Sequence, residues 1–92
     1  MDTTFIMGKT NSVSYTGTAG TTIASSATTT KMRIVVDSDA FFKIGANPTA
    51  TTSDTPIFAG IPEYVDCTPQ DKVSFIRSSV SGTGYMTEVS KT

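Results

Sequence analysis

The 92-residue chain contains no histidine, no tryptophan and a single cysteine. Without histidine it cannot build a Ser-His-Asp triad, a Cys-His pair, a histidine metal site or the usual switch that titrates near neutral pH. The lone Cys67 excludes a disulfide within these residues and a cysteine metal cluster. Because Cys67 alternates with Val65, we expect it to pack as a small apolar side chain. The composition therefore removes most routes to catalysis.

Charge is also scarce, since only 16% of the residues are charged and the net charge is -1. The seven basic residues are scattered singly and form no stripe that could follow a phosphate backbone, so nucleic acid is not an expected partner. No apolar run approaches the ~20 residues of a membrane-spanning helix. The first residues lack the basic and apolar segments of a signal peptide. We expect no membrane partner and no Sec-type export.

Two short patterns resemble binding motifs but lack essential parts. Asp37 and Asp39 supply carboxylates without the glycine and distal glutamate of a loop-type calcium site. They are more simply turn residues that accept hydrogen bonds from nearby backbone amides. Gly82-Thr83-Gly84 lacks the further glycines and the lysine of a phosphate loop, and a hairpin loop over residues 80–84 is expected there. No metal, cofactor or small-molecule substrate is predicted.

Carboxylate catalysis is equally poorly supported. Glu63 and Glu88 are the only glutamates, and so small a domain has little room for the cleft in which two carboxylates cleave a glycosidic bond. We expect no enzyme activity. Sugar binding by stacking on an exposed Tyr64 or Tyr85 stays open as an alternative.

The densest apolar material lies in residues 31–45 and predicts two core strands joined at a corner. Both runs are rich in β-branched and aromatic residues, and Asp37, Ser38 and Asp39 separate them. The alternation assigns four side chains to the inward faces: Ile34, Val36, Phe42 and Ile44.

Further strands follow from the same alternation at spacings near ten residues. The alternation directs Val13 with Tyr15, Val65 with Cys67, and Val73 with Phe75 toward the core. It places Ile57, Ala59 and Ile61 on one side of their strand, and Tyr85, Thr87 and Val89 on one side of theirs. Pro69-Gln70-Asp71-Lys72 is typical of a type I turn. No segment has helical periodicity. We therefore predict an all-β fold: a single antiparallel β-sandwich or jelly-roll-like barrel of about seven to eight short strands with an extended N-terminal arm.

The sequence also suggests surfaces for contact with other proteins. We divide the chain into an N-terminal arm of residues 1–11 and a β-sandwich domain of residues 12–92. Phe5, Ile6 and Met7 form an isolated apolar cluster that suits docking on a partner, and Ile76 falls on the outer face of its strand. Because a small core leaves such a domain marginally stable, we expect it to oligomerise.

Residues 32–89 resemble a group of small tailed-bacteriophage capsid decoration, or cement, proteins. The likeness rests on the run R-I-V-V-D-S-D-A-F-F-K-I-G, the loop A-T-T-S-D-T-P-I-F-A-G, the segment E-Y-V-D-C-T-P-Q-D-K-V-S-F-I and the close S-G-T-G-Y-M-T-E-V. Gly45, Gly82 and Gly84 match small residues of that pattern. Gln70 departs from it, because family members often have glycine in this turn.

The resemblance implies a β-sandwich subunit that binds the major capsid protein on the outer surface of the virion, as a homotrimer assembled in the host cytoplasm. A virion that is never exported is consistent with the absent signal peptide and the free cysteine. Two other classes stay open: a receptor- or glycan-binding module of a fibre or tail, and a head-to-tail joining protein.

Overall fold

The computed structural model describes the backbone of residues 5–91 and the side chains of residues 6–90. These residues form eight strands and no helix, so no described helix is available to cross a membrane. The strands are β1 (Phe5–Tyr15), β2 (Gly20–Thr21), β3 (Lys31–Val36), β4 (Ala40–Gly45), β5 (Thr55–Ile57), β6 (Glu63–Asp66), β7 (Lys72–Arg77) and β8 (Gly82–Lys91). The predicted all-β fold is confirmed.

The strands form two antiparallel sheets with the strand order of a jelly roll. Sheet I has the order β1-β8-β3-β6, and sheet II has the order β2-β7-β4-β5. The pairs β1–β8, β2–β7, β3–β6 and β4–β5 make one long four-pair hairpin. Folding that hairpin over adds the β3–β8 and β4–β7 pairs, which is how a jelly roll closes two sheets around one core.

The core lies between the sheets and includes the side chains that alternation directs inward from β3 and β4. Ile34, Val36 and Phe42 are buried, and Ile44 packs partly buried against them. Sheet II contributes Phe75, whose ring centroid lies 5.9 Å from that of Tyr15 in sheet I. The Tyr15 hydroxyl donates to the Ser38 carbonyl, and burial raises the pKa of Tyr15. The predicted inward faces of β3 and β4 are therefore confirmed.

Two predictions for the region between β5 and β6 are wrong: that strand character continues to Ile61, and that Ile61 shares a face with Ile57. Only residues up to Ile57 are in β5, and Ile57 is fully buried. Gly60 follows with a φ of +74°, and the Ile61 amide donates to the Phe58 carbonyl at 3.1 Å. Positive φ at the third position defines a type II turn, so Ile61 is turned outward and does not share a face with Ile57.

The expected hairpin loop over residues 80–84 is also corrected, because Gly82 and Gly84 lie within β8. A Cβ on Gly84 would lie 2.5 Å from the Phe75 ring, and one on Gly82 would lie 2.7 Å from the Tyr15 hydroxyl. Close packing, and not turn geometry, requires glycine at both positions: against Phe75 of the other sheet at Gly84, and against Tyr15 of the neighbouring strand at Gly82.

The turn before β7 is type II and not the predicted type I. The Asp71 amide donates to the Thr68 carbonyl at 3.0 Å. Gln70 is its third residue and has a φ of +69°, in the left-handed region that a type II turn requires. Proline at the second position suits both turn types, so Pro69 did not distinguish them.

The long loop of residues 46–54 packs back onto the outer face of sheet II. Pro48 and Ala50 are buried, and the Ala50 amide donates to the hydroxyl of Ser74 at 2.9 Å. The loop therefore covers one end of that face and leaves the other end open.

Candidate protein-interaction surfaces

The first surface is a two-stranded ribbon at one end of sheet I. Residues 5–7 pair with residues 89–91 of β8, whereas pairing of β3 with β8 stops at Met32 opposite Glu88. The ribbon therefore extends beyond its pairing with the neighbouring strand. Ile6 and Met7 are 50% and 48% exposed on it. The predicted contact residue Phe5 has its side chain outside the described residues.

A β-bulge separates this ribbon from the rest of β1. Met7 pairs with Val89 and Thr10 with Thr87, so Gly8 and Lys9 lie opposite a single residue of β8. The predicted boundary after Asn11 falls inside β1, because residues 5–15 form one strand that pairs with β8 on both sides of the bulge. The described part of the predicted arm is thus an edge strand of sheet I. Residues 1–4 lie outside the described part.

The second surface is the open end of the outer face of sheet II. Phe41 pairs with Ile76 on one side and with Pro56 on the other. Since Phe42 and Phe75 point inward, alternation places these three residues on the outer face. Phe41 and Ile76 are half-buried and Pro56 is exposed. We call Pro56, Phe41 and Ile76 the apolar row. It includes the predicted residue Ile76 and adds two that the sequence analysis missed.

The third surface is the type II turn after β5. Phe58 and Ile61 flank this turn and are 53% and 55% exposed. Two hydrogen bonds from backbone amides fix the turn: the Gly60 amide donates to the Val36 carbonyl, and the Ala59 amide donates to the Asp39 carboxylate, both at 2.9 Å. The two exposed apolar side chains are therefore presented by an anchored loop. Alternation with Ile57 and Ala59 had wrongly placed Ile61 on the same side as Ile57.

Asp37 and Asp39 lie in the corner between β3 and β4, and each connects this corner to another segment of the chain. The Asp37 carboxylate accepts from the Thr83 amide at 2.7 Å, and the Asp39 carboxylate accepts from the Ala59 amide. Both carboxylates therefore accept from backbone amides, one in β8 and one in the turn after β5, which agrees with their interpretation as turn residues. Within residues 5–91, no group of three or more histidine, cysteine or acidic residues is arranged to hold a metal ion.

The outer face of sheet I carries the tyrosines considered for sugar binding. Arg33 lies between Tyr64 of β6 and Thr87 of β8, and Val35 lies opposite Tyr85. Tyr64 is 48% exposed and Tyr85 38% exposed. The sheet brings the two tyrosines to one face on either side of β3, which the sequence alone did not show.

A polar cluster closes the core beneath the ribbon. Glu88 points inward beside Met32 and accepts hydrogen bonds from the hydroxyls of Ser26 at 2.5 Å and Thr29 at 2.8 Å. Burial raises the pKa of Glu88, but the bonds from Ser26 and Thr29 outweigh it and hold the pKa below its usual range. The carboxylate therefore anchors the Ser/Thr-rich loop between β2 and β3. Sequence spacing gave no sign of this contact.

Two further features are a cavity beside β8 and the thiol of Cys67. A cavity of about 300 Å³ is lined by Thr28, Thr30, Lys31, Val89 and Ser90. Cys67 is partly buried against the core, as its alternation predicted, and burial raises the pKa of its thiol. A raised pKa disfavours the thiolate that nucleophilic chemistry needs.

Comparison with known proteins gave no matching family, no matching curated protein and no matching solved structure.

Proposed function

We propose that this chain is a structural protein of a bacteriophage virion that binds the outer surface of the capsid and stabilises the shell without catalysing a reaction. The sequence resemblance suggests this role, and the jelly-roll strand order is compatible with it because jelly rolls occur in viral capsid proteins. Jelly rolls also occur in lectins, so the fold does not decide the function.

The observation that carries the proposal is apolar surface left outside a complete core. The space between the sheets is filled without Ile6, Met7, the apolar row or Phe58. These side chains lie on the ribbon, on the outer face of sheet II and on the anchored turn after β5, all fixed by backbone hydrogen bonds. Apolar groups held rigidly outside a core are typical of surfaces that bind other proteins.

The mechanism is passive. A subunit that binds the assembled shell and not its separated components shifts the equilibrium toward the assembled state by mass action. A homotrimer, as the resemblance implies, would contact several copies of the major capsid protein at once and gain avidity from geometry. Few charges and many hydroxyl groups suit contacts bridged by ordered water.

The direct test uses virions of the phage that encodes the chain. We expect the protein in many copies per particle, and we expect particles that lack it to release DNA at a lower temperature. Adding back the purified protein should restore heat resistance and saturate at a fixed number of copies. Particles whose composition and heat resistance do not depend on the protein would refute the proposal.

One observation favours a different class, a glycan- or receptor-binding module. Tyr64 and Tyr85 share the outer face of sheet I with Arg33, and such a face can stack on a sugar ring. In that case the purified protein would bind glycans or host cells, and particles lacking it would adsorb poorly but keep their heat resistance. A head-to-tail joining protein would instead be present in few copies, at one vertex.

A further inference from the structure

Each sheet has two edge strands, and three of these four edges carry a feature that hinders pairing with another chain. β2 has only two residues, β5 has three and includes Pro56, and β6 has four with Glu63 and Asp66 at its ends. Short length, proline and charge all protect edges. The fourth edge, β1, has eleven residues, and its segment 10–15 (T-N-S-V-S-Y) contains no charge and no proline.

The direction of the backbone groups shows which residues of β1 face outward along this edge. The Thr83 carbonyl accepts from the Asp37 amide, so Thr83 faces β3 and its neighbours Gly82 and Gly84 face β1. In an antiparallel pair, N–H and C=O groups of successive residues point to opposite sides. Tyr15 and Val13 therefore bond β8, and the even-numbered residues of β1 point to the open edge.

At the open edge, Ser14 is covered but Thr10 and Ser12 are not. The Ser14 carbonyl points at Gly20, where a Cβ would overlap it. The backbone N–H and C=O groups of Thr10 and Ser12 make no hydrogen bond on this side to any of residues 5–91, and both residues are exposed. The β-bulge at Gly8 and Lys9 ends the regular edge on the other side. The accessible segment is therefore residues 10–13.

We infer that two copies of this chain associate by antiparallel pairing of β1 with β1, around a two-fold axis through Asn11. In this register Thr10 of each copy lies opposite Ser12 of the other, and the outward-pointing groups of these two residues form four backbone hydrogen bonds. Inward-facing residues stay opposite inward-facing ones, as a continuous eight-stranded sheet requires.

A second copy fits this edge for two reasons. The register uses only Thr10 and Ser12, so it avoids the covered Ser14 and the bulge, and it is self-complementary as a two-fold contact must be. Electrostatic repulsion does not oppose this pairing. The two Lys9 residues would lie roughly 13 Å apart along the strands, at ~3.3 Å per residue, which exceeds the screening length at physiological salt.

This contact is independent of the proposed function and of any three-fold contact. A two-fold contact doubles the number of copies, giving two from isolated chains and six if the chain also forms a trimer. The edge it uses lies away from the apolar row, which is on the other sheet.

The test measures the mass of the purified full chain by sedimentation equilibrium over a range of protein concentrations. Ser12→Pro removes an edge N–H without touching the β1–β8 bonds, and proline is tolerated on an edge strand in that orientation. We expect it to raise the dissociation constant at least about tenfold. Ser12→Ala, which keeps the backbone groups, should leave the constant within about twofold.

Ser12→Lys provides a second variant in case Ser12→Pro does not fold. Ser12 is exposed, so lysine should be accommodated in the monomer, but it places two like charges close together in the pair and should also dissociate it. Slower exchange of the Thr10 amide at high concentration would identify β1 as the contact. A wild-type chain that never doubles its mass, or a folded Ser12→Pro or Ser12→Lys variant that associates like wild type, would overturn the inference.

Discussion

Gln70 is the only described non-glycine residue with positive φ. A side chain in this region of backbone space is strained, because its Cβ lies too close to the following carbonyl oxygen. The turn is nevertheless held by Pro69 before it and by the Thr68 amide, which donates to the Asp71 carboxylate at 2.9 Å. The surrounding structure therefore imposes a conformation that glutamine disfavours.

Replacing Gln70 with glycine should stabilise the fold. Relief of the strain is worth about 1–2 kcal/mol, and the greater freedom of glycine in the unfolded chain offsets about 0.5–1 kcal/mol. We expect a net gain of roughly 0.5–1 kcal/mol in chemical denaturation. Gln70→Ala keeps the strain and should give no gain, so equal effects of the two substitutions would contradict this explanation.

Glu88→Gln should loosen the loop between β2 and β3. The glutamine oxygen can still accept hydrogen bonds from Ser26 and Thr29, but bonds to a neutral acceptor are weaker than those to a carboxylate. We expect a loss of about 1 kcal/mol in the free energy of unfolding at pH 7. Glu63→Gln, at the exposed start of β6, is the matched control and should change stability little.

The pH dependence gives a separate test of the same contact. The folded pKa of Glu88 is below its unfolded value, so the unfolded state binds a proton first as the pH falls. The stabilisation is therefore complete above the unfolded pKa, about 4.3, and is lost as the pH falls through the folded pKa. The stability difference between wild type and Glu88→Gln should shrink over that window. A difference that stayed constant with pH would mean that the carboxylate charge is not involved.

At the scale of elements, the alternation of apolar residues predicted the strands correctly, whereas the structural roles of the glycines were predicted wrongly. Alternating apolar residues identified β3, β4 and β7 because these strands have one face in the core. Alternation failed after Ile57, because a glycine-dependent turn interrupts the pattern. Gly82 and Gly84 were assigned to a loop, but Gly84 is required by the close approach of Phe75 in the other sheet and Gly82 by the close approach of the Tyr15 hydroxyl. Such contacts between residues far apart in the chain have no local sequence signal.

Gly84→Ala tests the contact between β8 and β7. The added Cβ would lie 2.5 Å from the Phe75 ring, and overpacking of this kind typically costs about 1–3 kcal/mol. Gly45 is the control, because a Cβ there meets no atom within 4 Å. Gly45→Ala should be neutral or stabilise by up to about 1 kcal/mol. Thermal denaturation of both variants would decide, and an equally mild effect at Gly84 would mean that the sheets are less closely packed there.

At the scale of the whole molecule, the sequence predicted two of the candidate surfaces only in part. The cluster around Ile6 and the outward position of Ile76 are local patterns and were visible. The alignment of Ile76 with Phe41 and Pro56 depends on the order β7-β4-β5 in sheet II. That order follows from how the long hairpin folds over. Pairing between strands that are distant in the chain therefore places two further apolar residues, Phe41 and Pro56, beside the predicted contact residue Ile76.

The structure also changes how the proposed role of the N-terminal segment should be tested. Deleting residues 1–11 would remove more than half of β1 and leave residues 86–91 of β8 without their β1 partner, so a loss of capsid binding could reflect lost structure. Ile6→Ser with Met7→Ser removes the exposed apolar groups but keeps the strand. Both side chains are about half exposed, so the free energy of unfolding should change by no more than about 1 kcal/mol.

Two of the candidate capsid-binding surfaces, the ribbon and the apolar row, can be separated by add-back to particles that lack the protein. Phe41→Ser with Ile76→Ser removes the apolar row from the outer face of sheet II, where both side chains are only half-buried. If that row is the contact, the dissociation constant for the particles should rise at least about tenfold, the effect of losing one or two apolar anchors, while Ile6→Ser with Met7→Ser binds normally. The opposite pattern would assign the contact to the ribbon. Tyr85→Ser on the outer face of sheet I serves as the matched control. Normal binding by both double variants together with loss of binding by Tyr85→Ser would place the contact on sheet I and exclude both apolar surfaces.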